Sequence, residues 1–572
     1  MIILSKLMNF KTFVPERKDF FWVVILSVTV LLSNIFLAFY GSDFEGAPVF
    51  KPLVYLGFSC LLFFIPSLFL KAKYFFILQG IFVLFAPLEI GHIFLNKMPV
   101  TSAFLLSIVD TNYEESTELM SSVKIPIFCY FLLCCFYFFI VFKKIKNTWF
   151  IRISKNRMYM AGIFTIMLFA GFSFYLVKGY HIAIDKKDVF RNTKGNFTKK
   201  FYKTYPYDLI LKSYQVYVTK RQIKEGQEKL KDFRFNAVKK DHLSEKEVYV
   251  FVIGETGRYN SYSLNGYGRE TSPLLSKTER FISYTDFFSE ANITSSSLPL
   301  ILTRATARDY DRSYEEKSFV DAFREAGFKT YWIANQSAGN NFIRRISKDA
   351  DGEFFTTTDF DAKDNYDEKL WTFLDKVLAN KEEKVLIVLH TLGSHFRYNF
   401  RYPTQYELFK PSLQGAFDYA LISSKNKQQF INTYDNSILY TDYFLAKTIQ
   451  KIDSLNAVST LVYVADHGEN LFDTPENVVM HGGSYYTEYD FHVPFFVWTS
   501  EKYNEQYPSK VEQLNRNKDK KLSTGNIFYS MLDMANITFP EQVLEKSIAS
   551  EALREDSVRY IINTDMEVKK GY

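Results

Sequence analysis

The chain is poor in cysteine, and the few cysteines that it has lie in apolar segments near its beginning. A framework of disulfides is therefore excluded from the long polar region that follows, even if that region faces an oxidising space. A soluble domain of roughly 300 residues buries enough apolar surface to fold without disulfides. We expect the cysteines to act as small apolar packing residues. They are Cys60, Cys129, Cys134 and Cys135.

The chain also lacks a strong excess of charge of one sign. Its formal net charge of +6 is small for 572 residues and is dispersed, which argues against a nucleic-acid partner. We find no internal repeat and no low-complexity segment. The mean hydropathy of -0.11 averages an apolar first part and a polar second part.

Five apolar segments in the first part are long enough to cross a membrane, which takes about 20 residues each. The first segment is long, lacks a small-residue cleavage site and is followed by further segments, so we do not expect a cleaved signal peptide. The predicted spans are Phe20–Tyr40, Pro52–Leu70, Tyr74–Leu95, Ile125–Phe142 and Met158–Val177.

The charges between these spans predict the topology. The N-terminal segment and the loops after the second and fourth spans are basic, whereas the alternate loops are acidic or nearly neutral. The positive-inside rule puts the basic segments in the cytoplasm. Because the number of spans is odd, everything after Val177 then lies outside the cytoplasmic membrane. The sequence thus predicts a multi-pass protein of the inner membrane with a periplasmic domain.

Three regions follow from this pattern: a five-helix transmembrane domain (1–178), a connector (179–245) and an extracytoplasmic domain (246–572). The connector interleaves lysines with aromatic residues, which suits a helix lying in the lipid headgroup layer. A solvated linker is the alternative. Its rings are Phe190, Phe197, Phe201, Tyr202, Tyr205 and Tyr207.

The third region alternates apolar strand patterns with amphipathic helical patterns. Repeated βα units predict an α/β domain with a mostly parallel sheet covered by helices. The predicted strands are 248–254, 329–334, 385–390, 460–465 and 495–498, and the predicted helices are 318–326, 366–378 and 430–455.

Two of these strands end in acidic motifs, Gly254-Glu255-Thr256 and Asp466-His467-Gly468-Glu469. Open α/β sheets bind ligands at the carboxyl ends of their strands. Two carboxylates and an imidazole suit a divalent metal, with zinc favoured by the imidazole. Five of the eight histidines lie between His390 and His492, which strengthens the case for a metal or phosphate site. The alternative for any one of these residues is a polar cap of a loop.

Glu255 belongs to a longer segment that resembles the opening motif of the bacterial phosphoethanolamine transferases. The motif runs from Gly254-Glu255-Thr256-Gly257-Arg258 to Glu270-Thr271-Ser272-Pro273. This family includes lipid A-modifying enzymes linked to polymyxin resistance and belongs to the alkaline phosphatase and sulfatase superfamily. The Asp466 motif, the following His481-Gly482 and the stretch from His390 to His395 resemble its other motifs, and the five spans match too.

The resemblance implies a catalytic nucleophile at Thr294, within Thr294-Ser295-Ser296-Ser297-Leu298-Pro299. It implies a zinc site made of Glu255, Asp466, His467 and the oxygen of Thr294. Zinc would lower the pKa of the alcohol. If Thr294 begins a helix, backbone N–H groups would help to bind the phosphate. The neighbouring serines remain alternatives, and such a run is also typical of a helix cap.

Further residues receive roles from the resemblance. His395 and His481 are expected to contact the phosphoryl group or a second zinc, and one of them would protonate the leaving oxygen. Asn335, Gln336 and His390 are candidate substrate contacts, as are Asn112 and Glu115 in the acidic loop between spans three and four. Two features depart from the family: no lysine follows Gln336 in its loop, and the periplasmic disulfides of lipid A-modifying relatives are absent.

The function expected from the resemblance is zinc-dependent transfer of phosphoethanolamine from phosphatidylethanolamine to lipid A or the lipopolysaccharide core. A monomer at the membrane, without nucleic acid, is expected. A lipoteichoic-acid-synthase-like glycerol phosphate transferase and a membrane-anchored sulfatase or phosphodiesterase are the alternatives. Sulfatases need an arginine where this chain has Ile301. A non-enzymatic scaffold conflicts with the full set of metal ligands.

Overall fold

The chain forms two compact units, which we describe separately. The helical unit is Met1–Leu105 with Ser116–Val218, and the sheet unit is Leu106–Glu115 with Thr219–Tyr572. The computed structural model describes residues 17–41, 50–96, 98–110, 124–149, 203–336, 341–356, 365–414, 424–474, 478–482, 486–564 and 567–572, with a few isolated positions between 158 and 173.

Long apolar helices make up the helical unit. Phe63, Phe75 and Phe76 are buried where these helices pack together. The hydroxyl of Tyr137 donates to the carbonyl of Phe76 across 2.9 Å, which satisfies a polar group inside this apolar cluster. The described helices are Arg17–Tyr40 (α1), Phe50–Phe64 (α2), Ala72–Asn96 (α3), Ser102–Asp110 (α4), Lys124–Lys144 (α5) and Tyr207–Asp232 (α6), with a 3-10 turn at Ile65–Leu68. Of these, α4 and α6 begin in the helical unit and end in residues assigned to the sheet unit.

Among the described residues, three helical stretches are long and apolar enough to cross a membrane: Phe20–Tyr40, Phe50–Leu68 and Ala72–Phe94. They coincide with the first three predicted spans. The fourth predicted span lies within α5, and the fifth, Met158–Val177, falls largely outside the described residues. The membrane-like character of this unit is thus confirmed, while the number five stays a prediction.

One ring of the connector lies elsewhere than the sequence predicts. Tyr205 is only 3% exposed and packs among the helices instead of facing lipid headgroups. Its backbone N–H donates to Asn34 Oδ1 across 3.0 Å, and Asn34 Nδ2 donates to its carbonyl across 2.9 Å. An amide buried in an apolar helix needs such partners, which explains the position of Tyr205. The predicted rings at 190, 197, 201 and 202 lie outside the described residues.

The sheet unit contains one seven-stranded sheet. Its order is β2-β7-β6-β1-β5-β3-β4, where β1 is Glu247–Gly254, β2 Phe281–Tyr284, β3 Lys329–Ala334, β4 Gly352–Phe355, β5 Lys384–His390, β6 Val458–Ala465 and β7 Phe495–Thr499. The pairings β6-β1, β1-β5, β5-β3 and β3-β4 are parallel, and the two pairings of β7 are antiparallel.

Four of the six pairings are parallel, as the sequence predicts, but the sheet is mixed because β7 runs antiparallel to both of its neighbours. The antiparallel direction of β7 has a simple cause. A parallel connection needs a crossover, usually a helix. Between β6 and β7 the described residues contain only a one-turn 3-10 helix, Glu488–Asp490.

Helices cover both faces of the sheet. Three of them match predicted helices closely: Phe319–Glu325 (α9), Leu370–Leu378 (α11) and Lys427–Asp453 (α12). The others are Thr294–Leu302 (α7), Arg312–Glu315 (α8), Asn341–Asp349 (α10), Glu501–Gln506 (α13), Pro508–Arg516 (α14) and Ile527–Met534 (α15). Short two-stranded ribbons pair Val238–Lys239 with Ile537–Thr538, Phe287–Phe288 with Leu522–Ser523, and Tyr560–Ile562 with Val568–Lys570.

The central strand β1 is buried on both faces. Tyr249, Phe251 and Ile253 belong to one apolar cluster, and the alternating residues Val248, Val250 and Val252 belong to the other. Side chains alternate across a strand, so a continuous apolar run fits a strand covered on both sides. This burial fixes β1 rigidly and directs its carboxyl end, with Glu255, at the neighbouring ends of β5 and β6.

Candidate active site

Two carboxylates and an imidazole meet at the carboxyl ends of β1 and β6. Glu255 follows β1, and Asp466 and His467 follow β6. All three are almost fully buried. His467 Nε2 lies 3.5 Å from Glu255 Oε1 and 3.4 Å from Asp466 Oδ2. Ligand atoms of the three lie within 4.8 Å of one another, so they are able to bind one metal ion together.

Thr294 brings an alcohol to the same point. Its Oγ1 lies 3.2 Å from Glu255 Oε2, 3.3 Å from Glu255 Oε1 and 3.2 Å from His467 Nε2. The helix α7 begins at Thr294, so its first backbone N–H groups lie beside the carboxylates. Ile293 is the N-cap residue, and no side chain among the described residues caps this end of the helix. The role of a helix cap, one interpretation of the Ser/Thr run, is therefore not filled by Thr294.

The serines after Thr294 are arranged differently. Ser297 is fully buried and its hydroxyl donates to the carbonyl of Asp466, as does the hydroxyl of Ser289. Ser297 thus supports the loop behind the metal-ligand candidates. Thr294 is the alcohol of this run that hydrogen-bonds to their side chains.

Thr256 connects the two carboxylates. Its backbone N–H donates to Asp466 Oδ1 across 3.0 Å, and its hydroxyl donates to Glu255 Oε1 across 2.8 Å. The N–H of His467 also donates to Asp466 Oδ1, across 2.8 Å. The turn after β1 therefore orients both carboxylates, and the turn after β6 adds a second hydrogen bond to Asp466.

The buried charges of the three groups shift one another's pKa values. Burial raises the pKa of Glu255, but the hydrogen bond and charge of His467, with smaller contributions from His395 and His481, hold it well below its usual range. Burial and the charge of Glu255 raise the pKa of Asp466 to about 6. Burial opposes protonation of His467, yet the two carboxylates raise its pKa to about 10. The site thus concentrates negative charge that attracts a cation.

A metal ion fits this donor set. Asp466 Oδ2 is buried and has no hydrogen-bond partner among the described residues. A buried acceptor without a partner costs free energy, and a cation at this point would satisfy it. Two carboxylates, one imidazole and an alcohol oxygen together give the four ligands of a tetrahedral zinc site.

A glycine brings the third loop against this centre. Gly393, between His390 and His395, has a φ of +50°, and a Cβ at this position would lie 2.7 Å from the carbonyl oxygen of Glu255. The N–H of Ser394 donates to that same carbonyl across 3.0 Å. Only a residue without a side chain allows the loop to pack this closely.

The two other predicted catalytic histidines lie on loops beside the centre. The ring of His481 is 3.9 Å from the ring of His467, and its Nδ1 is 3.3 Å from Glu469 Oε1. Tyr398 donates to the same carboxylate, at Oε2, across 2.6 Å. His395 Nδ1 is 3.2 Å from the carbonyl of Phe396, within the loop that Gly393 brings against Glu255.

The predicted substrate contacts Gln336 and Asn335 have different partners in the structure. Gln336 Nε2 donates to Glu255 Oε2 across 3.2 Å and to the carbonyl of Thr391 across 2.9 Å. Asn335 is fully buried and donates instead to Asp367 Oδ1, across 2.9 Å, so it positions the loop. Asn112 and Glu115 lie outside the described residues.

His390 and His492 pack in apolar or aromatic surroundings. His390 is fully buried against Trp332, and burial lowers its pKa to about 4. His492 stacks between Tyr259 and Phe288, with ring centroids 4.0 and 4.7 Å away. Neither ring meets the metal-ligand candidates.

The chain matches a known protein family over the region that contains this site. The sulfatase family model matches residues 247–537, just over half of the chain, and this range contains all three candidate metal ligands and Thr294. The chain belongs to the sulfatase family. The curated relatives include the phosphoethanolamine transferase EptC of Escherichia coli (strain K12), which is 28% identical over 335 residues. That match covers 56% of this chain and 56% of EptC, so the chain matches about half the length of this relative.

Two solved structures extend the comparison. The integral membrane phosphoethanolamine transferase EptA from Neisseria meningitidis covers 92% of this chain and 97% of its own, with a TM-score of 0.70 and 21% identity. This similarity shows that the helical unit and the sheet unit of this chain each have a known fold. The C-terminal periplasmic domain of EptC from Escherichia coli, in a complex with Zn, covers 57% of this chain and 92% of its own, with a TM-score of 0.53 and 26% identity.

Several residues that support the centre were not predicted from the sequence. Thr256 and Glu469 lie within the quoted motifs, but no role was derived for them. Tyr398 and Tyr434 gave no signal at all, because their hydroxyls bond to residues that are distant in the sequence: Tyr398 to Glu469, and Tyr434 to Thr256. Thr256 was the one supporting residue that the sequence could have indicated, because it is polar and directly follows the candidate ligand Glu255.

Proposed function

We propose that this protein transfers phosphoethanolamine from phosphatidylethanolamine to lipid A or the lipopolysaccharide core. The observation that carries the proposal is the position of Thr294 Oγ1, within 3.3 Å of both oxygens of Glu255 and 3.2 Å from His467 Nε2. An alcohol among metal-ligating groups at a helix N-terminus suits phosphoryl transfer through a covalent intermediate. The similarity to named phosphoethanolamine transferases supports the choice of group.

We propose zinc as the metal, held by Glu255, Asp466, His467 and the oxygen of Thr294. The donor set and the unpartnered Oδ2 of Asp466 support this choice, as does the similarity to the EptC domain in complex with Zn. When bound, zinc would lower the pKa of the Thr294 hydroxyl and offset negative charge on the phosphoryl group.

Residues of the chain act as nucleophile, proton acceptor and proton donor in the proposed reaction. The oxygen of Thr294 forms a bond to phosphorus, and the bond from phosphorus to the diacylglycerol oxygen breaks. Glu255 Oε2, 3.2 Å away, is an acceptor for the hydroxyl proton of Thr294. His395 or His481 donates a proton to the departing oxygen, a role suited to imidazole near neutral pH. An oxygen of the acceptor, from a phosphate or a sugar hydroxyl, then attacks the phosphorus, and the bond from phosphorus to the Thr294 oxygen breaks. Glu255 returns its proton to Thr294, and the histidine takes up a proton from the attacking hydroxyl or from solvent.

The membrane part serves the same reaction, because both substrates are lipids. We propose a monomeric inner-membrane protein in which residues 1–178 span the membrane, residues 179–245 connect, and residues 246–572 form a periplasmic catalytic domain. The three apolar helices and the fold similarity to EptA support this organisation. Asn112 and Glu115 are proposed to contact the ethanolamine headgroup or the acceptor.

Mass spectrometry of lipopolysaccharide tests the proposal. Cells that express the wild-type chain should carry phosphoethanolamine on lipid A or core sugars, and cells that express Thr294→Ala at the same level should not. Purified wild-type protein should hold about one zinc per chain, and His467→Ala should lose most of it. Unmodified lipopolysaccharide in cells with a membrane-inserted, zinc-loaded wild type would contradict the proposed acceptor. Full zinc content after replacing Glu255, Asp466 and His467 together by alanine would contradict the metal site.

A further inference from the structure

The long helix α12 supplies a tyrosine that bonds to the turn after β1. Tyr434 is fully buried. Its hydroxyl donates to the carbonyl of Thr256 across 2.7 Å and accepts from the backbone N–H of Arg258 across 3.0 Å. One hydroxyl thus bonds to the backbone on both sides of Gly257. Tyr434 and Thr256 are 178 positions apart in the sequence, so this is a long-range connection.

The backbone that Tyr434 holds is strained. Thr256 has a φ of +55°. A β-branched residue is rarely found in this left-handed region, because its side chain crowds the backbone. Such a conformation persists only where the surroundings hold it in place. Thr256 is fully buried, and the two bonds of Tyr434 act directly on this turn.

The same strained residue orients both carboxylates of the metal-ligand set. Its N–H bonds to Asp466 and its hydroxyl bonds to Glu255. If the peptide of Thr256 rotated out of the left-handed region, the N–H and the hydroxyl would point elsewhere. Both carboxylates would then lose a bond that fixes their direction, although neither touches Tyr434.

We infer that Tyr434 is a positioning residue of the metal centre. Its hydroxyl keeps Thr256 in the left-handed conformation, so that Glu255 and Asp466 are directed as ligands before the metal binds. This inference rests on the proposed zinc site. Groups that orient metal ligands in this way contribute strongly to metal affinity.

The hydroxyl of Tyr434, and not its ring, holds the turn at Thr256. The ring of Tyr434 packs edge-to-face against Tyr398, with centroids 5.1 Å apart, and phenylalanine would preserve that contact. The change Tyr434→Phe therefore removes the two hydrogen bonds and little else. It leaves a buried carbonyl and a buried N–H without this partner, and a different conformation of the turn would relieve both.

Zinc affinity of the purified full-length protein in detergent tests the inference. We expect Tyr434→Phe to weaken zinc binding roughly ten- to hundredfold in competition with a chelator. Tyr503→Phe is the matched control: Tyr503 is also fully buried and its hydroxyl also donates to a backbone carbonyl, that of Met534, across 2.9 Å. Its loss removes the same kind of bond without touching the turn, so the affinity should not change.

A second measurement distinguishes positioning from a general loss of packing. Glycine adopts a positive φ without strain, so Tyr434→Phe should cost much less affinity when Thr256→Gly is already present. With cobalt in place of zinc, the visible spectrum of Tyr434→Phe should differ from that of the wild type, whereas Tyr503→Phe should not change it.

Three outcomes would overturn the inference. They are unchanged zinc affinity in Tyr434→Phe, an equal loss in Tyr503→Phe, and a loss that is the same with and without Thr256→Gly. A wild-type protein that binds no zinc would instead refute the proposed metal site, and the inference with it. The two failures are therefore distinguishable from the wild-type measurement alone.

Discussion

Replacing His390 by leucine should make the protein less sensitive to acid. His390 is fully buried at the end of β5, and neither of its ring nitrogens has a hydrogen-bond partner among the described residues. Burial lowers its pKa from 6.5 to about 4, although the charge of Glu255 acts in the opposite direction. The folded protein therefore holds His390 neutral at a pH where the unfolded chain binds a proton.

The sign and size of the effect follow from linkage. Because the folded pKa is depressed, the neutral ring contributes its full stability above pH 6.5, and this contribution is lost progressively as the pH falls from 6.5 through about 4. At pH 5 the loss amounts to about 2 kcal/mol, since one pKa unit corresponds to about 1.4 kcal/mol. Leucine has a similar volume, does not titrate and leaves no unpartnered polar atom, so His390→Leu should not suffer this loss.

The assay is the thermal midpoint of the full-length protein in detergent, measured at pH 7.5 and pH 5.0. The midpoint of His390→Leu should fall by about 2 to 3 °C less than that of the wild type between the two pH values. Leu389→Met, a buried change in the same strand that does not titrate, should behave as the wild type does. An equal fall of the midpoint in His390→Leu and in the wild type would refute this reasoning. Loss of zinc binding in His390→Leu would show instead that His390 belongs to the metal centre.

The residues around the metal site and the proposed lipid contacts lead to three further predictions. Gln336→Ala should weaken zinc binding roughly tenfold in chelator competition, because Gln336 donates to Glu255; unchanged affinity would contradict that role. Asn112→Ala and Glu115→Ala should lower transfer from lipid vesicles but leave hydrolysis of a soluble phosphoethanolamine ester nearly unchanged, since they are proposed to contact the lipid substrates; equal losses in both assays would contradict this. Removal of zinc should lower the thermal midpoint of the wild type but not that of His467→Ala.

The sequence predicts that Glu255, Asp466 and His467 lie close together, and it does so for a physical reason. Glu255 and Asp466 each follow an uninterrupted apolar run, and such runs become central strands whose carboxyl ends meet. β1 and β6 are indeed neighbours in register, with Gly254 opposite Ala465. The same logic explains the close agreement of the helix predicted at 430–455 with the observed Lys427–Asp453. The burial of one strand or helix shows as a pattern of apolar residues within a single segment, so it can be recognised in the sequence.

The contacts that support these residues could not be predicted in this way. The bond from Tyr434 to Thr256 spans 178 residues and leaves no periodicity in the sequence. The left-handed conformation of Thr256 contradicts the preference of threonine, so local propensity would predict the wrong backbone. The strand β7 was predicted at 495–498, but its antiparallel direction was not, because the pattern of βα units was extended past its last crossover helix. Tyr205 was expected at the lipid surface because its neighbours are lysines, whereas its buried partner Asn34 lies 171 residues away.

The central claim is that Thr294 carries phosphoethanolamine as a covalent intermediate. Intact-protein mass spectrometry after incubation with phosphatidylethanolamine alone, without an acceptor, tests it most directly, because the adduct should accumulate when the second step is blocked. The wild type should gain one phosphoethanolamine, located at Thr294 by peptide mapping, and Ser295→Ala should gain it equally. Accumulation of the adduct in Thr294→Ala would contradict the account and assign the nucleophile to a neighbouring serine.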